Sequence, residues 1–144
     1  MYFLESCQFI SAGFLFFNSI FANSTHKLFA MNHQEFAQMW INAWNSHDLE
    51  AILTHYSDDI EITTPMIAMA TGGKESSLKG KEAVREYWRK ALDKFPDLHF
   101  DLIHSTAGVD SAALFYKSIM DKHAVEVMFF NEDGKISRMY AHYD

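Results

Sequence analysis

Apolar and polar residues change their period several times along this chain, and each change predicts an element. Phe36, Met39, Trp40, Ala43 and Trp44 recur at helical spacing and form one stripe. Asn32, with Glu35 three residues later, has the spacing of a capping pair ahead of that stripe. The polar stretch 45–48 ends it, and Asp48 is placed to cap a second, shorter helix carrying Leu49, Ile52, Leu53 and Tyr56. Ser57-Asp58-Asp59 reads as a turn. Residues 60–64 alternate and are rich in β-branched side chains, which predicts a strand stopped by Pro65. Residues 66–79 combine a short apolar run with Thr71-Gly72-Gly73-Lys74 and predict a loop, a lid or a short hairpin. Residues 81–95 carry the strongest helix signal: Ala83, Val84, Tyr87, Trp88, Ala91, Leu92 and Phe95 share a face, charges lie opposite, and Pro96 follows. Four alternating runs complete the chain, at 98–107, 111–120, 123–130 and 135–143, separated by Gly108, Asp121-Lys122 and Asn131-Glu132-Asp133-Gly134. Helices first and an antiparallel meander last make an α+β fold, with helices packed on one face of a curved, mostly antiparallel sheet.

Residues 1–30 have a different character. Seven of the thirteen phenylalanines lie there, and charges are sparse. The apolar run 9–22 has the length of a signal peptide, and Ala22-Asn23-Ser24 offers a small-x-small cleavage site, but the flank carries Glu5 and neither Lys nor Arg. The run is too short and interrupted for a membrane span. Residues 1–30 are therefore expected to be a leader outside the domain, either upstream of a true start at Met31 or a signal peptide; a structured extra helix is the third possibility. Residues 31–144 are expected to be the domain, cytoplasmic if translation starts at Met31 and exported if residues 1–24 are a signal peptide.

Composition narrows the function. In 144 residues, Asp and Glu total 19 against 12 Lys and Arg, a formal charge of −7 with no basic cluster, which argues against nucleic-acid binding. The single cysteine, Cys7, excludes an intrachain disulfide and a CxxC zinc site. The eight histidines are scattered without ligand spacing, so no metal site is expected. No GxSxG elbow or phosphate-cradling loop occurs.

Three segments together carry a resemblance. They are Trp44-Asn45-Ser46-His47-Asp48-Leu49-Glu50-Ala51-Ile52 with Tyr56-Ser57-Asp58-Asp59, then Gly80-Lys81-Glu82-Ala83-Val84-Arg85-Glu86-Tyr87-Trp88, and Phe130-Asn131-Glu132-Asp133-Gly134-Lys135-Ile136 followed by Tyr140-Ala141-His142-Tyr143. In this order and spacing the chain, over roughly 32–144, resembles the SnoaL-like branch of the nuclear transport factor 2-like (NTF2-like) superfamily, which includes polyketide cyclases and ketosteroid isomerases. The resemblance implies a cone: a bent sheet around a long first helix, enclosing an apolar pocket, with dimerisation through the sheet. It implies a small apolar organic ligand, no cofactor, and no stable membrane insertion.

Carried over position by position, the resemblance places the isomerase base at Thr64, beside Pro65, where a hydroxyl has no basicity near neutral pH. It places the protonated acid at Glu126, the oxyanion tyrosine at Trp40, and the supporting tyrosines at Tyr56 and Trp88. Tryptophan donates one hydrogen bond but relays no proton. Met128, Met139 and Tyr143 complete the expected substrate-binding set, with Met39, Met66 and Met69 as further adaptable apolar side chains.

The residues themselves leave choices open. Alternation puts Glu126 on one face with Ala124, Met128 and Phe130, where lost hydration raises a carboxyl pKa. The other reading pairs it with Lys117 or Arg138 on a neighbouring strand. The three tryptophans serve equally as plain core or as a pocket wall. His47 and His142 qualify as acid–base partners only if they point inward. The expected activity is acid–base chemistry on an apolar carbonyl compound through Glu126. The alternative is a non-catalytic ligand-binding or dimeric accessory protein, which the threonine at position 64 favours.

Overall fold

The first helix, α1 (His33–Asn45), begins where the Asn32 side chain accepts a hydrogen bond from the Gln34 backbone N–H. These observations come from a computed structural model, which describes residues 32–144. The expected leader, residues 1–30, lies outside the described residues. Phe36, Ala37, Trp40, Ile41 and Trp44 are the buried face of α1. Met39, placed on the stripe by its spacing, is instead 44% exposed. The face is rotated towards Ala37 and Ile41 because α1 lies against the sheet strand β3 (Asp101–Ala107).

Asp48 caps α2 (Leu49–Leu53) as its position predicts, accepting from the Glu50 and Ala51 N–H groups. The next strand, β1 (Tyr56–Thr63), starts earlier than expected and contains the presumed turn at Ser57-Asp58-Asp59. Those residues form an irregularity in the strand, where pairing with β6 (Ile136–Tyr143) shifts register between Tyr56 and Glu61. The Ser57 hydroxyl spans it, donating towards Asp59 Oδ1 and the Ile136 carbonyl.

The uncertain stretch 66–79 is neither lid nor hairpin. It holds a one-and-a-half-turn helix, α3 (Pro65–Ala70), then a short strand, β2 (Ser77–Lys79). Thr64 is the cap, its Oγ accepting from Met66 N–H, and Pro65 sits in the first helical turn, where a missing N–H costs nothing. Helix α4 (Lys81–Lys94) follows and lays Val84 and Trp88 against β1.

The strands β3, β4 (Ser111–Lys117), β5 (His123–Phe130) and β6 form the expected antiparallel meander. Strand β6 then pairs parallel with β1, and β1 antiparallel with β2, giving the order β2-β1-β6-β5-β4-β3. Register shifts at Tyr56/Glu61, Leu102/His104 and Phe129/Phe130 bend the strands, as bulges do. The concave face carries Ile60, Ile62, Ala112, Leu114, Tyr116, Ala124, Met128 and Met139, all buried with the helical tryptophans in one core. The β5–β6 turn closes on Gly134 at φ 71, a conformation that suits a residue without Cβ.

Asn45 ties the end of α1 to the strand entry opposite. Its Oδ1 accepts from Phe100 N–H at 2.8 Å and its Nδ2 donates to Phe100 carbonyl at 2.9 Å. Replacing it orphans both backbone groups at once. Asn45→Ala is expected to destabilise the fold by about 1–3 kcal/mol, read as a lower urea midpoint at unchanged slope.

Candidate functional site

Strand β5 decides the site. Its alternation turns Ala124, Glu126 and Met128 inward, as the sequence pattern predicts. Register sets Glu126 between Leu114 on β4 and Ala141 on β6, and sets Ala124 between Tyr116 and Tyr143. Two tyrosines therefore flank the smallest residue of the row, one step from the carboxylate. Glu126 is 5% exposed. Its Oε1 accepts from the Tyr116 hydroxyl at 2.6 Å, and its Oε2, also buried, has no hydrogen-bond partner.

The alternative salt bridge does not form. Lys117 pairs with Asp121 at 2.8 Å, and the Arg138 guanidinium lies 4.3 Å from the centre of the Phe129 ring. Burial without a cation disfavours the carboxylate and pushes Glu126 up to about 7, against the opposing pull of the Tyr116 hydrogen bond. The neighbouring phenols move the same way. Burial, and then the Glu126 charge, raise Tyr116, Tyr143 and Tyr56 well above the usual phenol value, and Tyr87 to about 12. All four stay protonated near neutral pH and act as donors.

A continuous aromatic wall backs the carboxyl. Trp40 stacks on Phe100 at 5.9 Å and 13°, and its centroid lies 5.6 Å from that of Tyr116. Tyr56 meets Trp88 at 4.7 Å, and Trp88 meets Trp44 at 5.0 Å. Trp40 Nε1 donates to the Tyr56 hydroxyl at 2.8 Å, whose own proton goes to the weak acceptor Met139 Sδ at 3.9 Å. Trp40, Tyr56, Trp88, Met128 and Met139 thus lie together in the buried interior, with Tyr143 half-buried at its edge. Thr64 is buried too, but its oxygen is occupied in capping α3.

The histidines do not join them. His47, at φ 57, donates from Nε2 to the Leu98 carbonyl at 2.7 Å, and His142 is exposed. Among the described residues no three His, Cys, Asp or Glu side chains gather as metal ligands, and no helix is long and apolar enough to cross a membrane.

Two contributors escaped the sequence reading. Tyr116, the only hydrogen-bond partner of Glu126 among the described residues, sits ten positions away on the adjacent strand. The 111–117 alternation places it inward, but its meeting with Glu126 depends on hairpin register. Trp44, expected as core or wall, holds a buried indole N–H with no partner. The interior therefore presents one free donor and one free carboxyl oxygen. Such a pair suits a guest that brings its own oxygen.

Residues 37–139 match the SnoaL-like domain family. The chain is similar to a SnoaL-like protein of unknown function from Burkholderia thailandensis E264. The identity is 46%, the match covers 78% of this chain and 94% of that one, and the TM-score is 0.74. It also resembles a protein provisionally named an isomerase of the SnoaL-like family from Agrobacterium tumefaciens C58, at 18% identity, 78% and 97% coverage and a TM-score of 0.62. A third neighbour is the epoxide hydrolase/cyclase-like enzyme SalBIII, with a role in pyran ring formation in the polyether salinomycin; it shows 20% identity, 78% and 90% coverage and a TM-score of 0.60. The last two likenesses concern the fold alone. A search of the curated proteins gives no match.

The raised Glu126 value makes stability depend on pH. Below its ordinary value of 4.5 the group is protonated in folded and unfolded chains alike. Between 4.5 and about 7 the folded chain keeps a proton that the unfolded chain releases, so its stabilising contribution is lost as pH rises through that window. Denaturation of the protein and of Glu126→Gln from pH 4 to 8.5 should show the stability difference drifting in favour of Gln by roughly 3 kcal/mol across it.

Proposed function

The chain belongs to the SnoaL-like domain family, and on that premise we propose that it is a small-molecule pocket protein whose Glu126 performs acid–base chemistry on an apolar carbonyl compound. The observation that carries this reading is the free Oε2 of a buried carboxyl whose pKa lies near 7. A general acid–base group works best with its pKa close to the operating pH. In its ionised form Glu126 takes a proton from a carbon next to the carbonyl. The same carboxyl, now protonated, returns that proton at a second carbon, so the sum of atoms is unchanged and no cofactor is needed. Tyr116 holds the carboxyl through Oε1 and leaves Oε2 to meet the substrate. The Trp40, Tyr56 and Trp88 rings supply flat apolar surface, and the unpartnered Trp44 N–H supplies a donor for a developing oxyanion. Met128 and Met139 fit the wall to an irregular ligand.

A second reading rests on Thr64. The position that the resemblance assigns to a base holds a hydroxyl committed to capping α3. A protein with one carboxyl and no second base can bind the same ligand without turning it over. In either reading a second copy of the chain is the expected partner. The convex face of the sheet leaves Ile103, Phe115, Val125 and Tyr140 exposed, which supports pairing through that surface.

Full-length protein incubated in D2O with a panel of polycyclic ketones distinguishes the two. Acid–base action places deuterium beside the ketone carbonyl, read by NMR. The rate should rise with pH through about 7. It should fall at least about a hundredfold in Glu126→Gln at unchanged melting temperature. Ligand-induced shifts without deuterium uptake in the parent protein establish the binding reading. Unfolding of Glu126→Gln marks the carboxyl as structural.

A further inference from the structure

A cleft of about 490 Å³ opens between the C-terminal end of α4 and the β4–β5 connection, away from the Glu126 carboxyl. Its volume falls within the roughly 300–1,000 Å³ of small-ligand sites. Phe95, Pro96, Leu98, Ile119 and Met120 make its apolar lining, and Ser118 is the residue where the lining meets the interior. Ser118 is 6% exposed, and its hydroxyl is buried without a hydrogen-bond partner. Its main chain is satisfied: Ser118 N–H donates to the Lys122 carbonyl at 2.7 Å, and Lys122 N–H turns back to the Ile119 carbonyl at 3.2 Å. The connection therefore holds the serine in place and leaves only the side-chain oxygen unused. A buried hydroxyl in that condition destabilises the empty protein unless something supplies its partner.

We propose that this cleft is a binding site for a flat apolar molecule carrying one oxygen function, with Ser118 as the residue that recognises the oxygen. A hydroxyl both donates and accepts, so an alcohol or a carbonyl satisfies it equally. The lining supplies the apolar contact, and Met120, 57% exposed, covers the guest from the rim. The site stands apart from the chemistry assigned to Glu126 and does not require it.

The test uses the full-length protein and two probes of one shape, 2-naphthol and naphthalene, titrated by NMR. Naphthol should bind about 3–10-fold more tightly than naphthalene, the value of one neutral hydrogen bond. Ser118→Ala should remove that preference while leaving naphthalene affinity unchanged. It should also raise the melting temperature, because an unpaired buried polar group is gone. Ser118→Cys, with a weaker donor of similar shape, should give an intermediate preference. Glu126→Gln should keep the preference whole. A preference that survives in Ser118→Ala, or that disappears in Glu126→Gln, overturns the assignment, as does binding of both probes without perturbing Phe95 or Ile119. Failure of deuterium uptake, by contrast, leaves the cleft untouched.

Discussion

One hydrogen bond organises the interior: the Tyr116 hydroxyl donating to Glu126 at 2.6 Å inside an otherwise apolar cone. Burying a carboxyl is costly, and a single neutral donor does not offset an ionised one. The fold accommodates it by keeping the proton, which pushes Glu126 up to about 7. The geometry behind this is set by register. Strand β5 presents Glu126, its neighbours opposite are Leu114 and Ala141, and the small Ala124 one step away lets Tyr116 and Tyr143 close in from both sides. No cation comes within reach, because Lys117 and Arg138 lie on the convex face with partners of their own. Folding thus stores an acid of unusual strength where solvent cannot level it.

The aromatic wall is the second half of that arrangement. Trp40, Trp44, Tyr56, Trp88, Phe100 and Tyr116 form an unbroken set of ring contacts between 4.6 and 5.9 Å. In a cone these rings are core and cavity wall at once, so the choice between the two uses of tryptophan dissolves. What distinguishes them from ordinary core is the polar residue count within: an indole N–H and a carboxyl oxygen that nothing in the described chain satisfies. Thr64, by contrast, has been drawn into secondary structure. Its hydroxyl stabilises a helix start and offers no base.

Much of this was legible in the chain. Alternation alone put Glu126 inward, capping residues marked α2, and the three matching segments named the fold. The misses have particular causes. Met66 to Ala70 is too short an apolar run for its period to separate helix from strand, and Thr64-Pro65 is a cap only once the helix exists. Ser57-Asp58-Asp59 has turn composition, but its neighbours on β6 hold it as a bulge. Met39 was misplaced because a helix wrapped by a sheet buries a wider arc than a single stripe. Tyr116 was missed because the meeting of two side chains across a hairpin is a property of register, not of either strand. The orphaned Ser118 belongs to the same class: a serine in a strand-end sequence carries no mark of being buried and unpaired.

The most direct measurement is a pH titration of the Glu126 side-chain carboxyl by NMR in the selectively labelled full-length protein. A midpoint near 7, moving when a polycyclic ketone is added, follows from a desolvated carboxyl with one free oxygen. A midpoint near the ordinary 4.5 that ignores every ligand contradicts it, and with it the role assigned to Glu126.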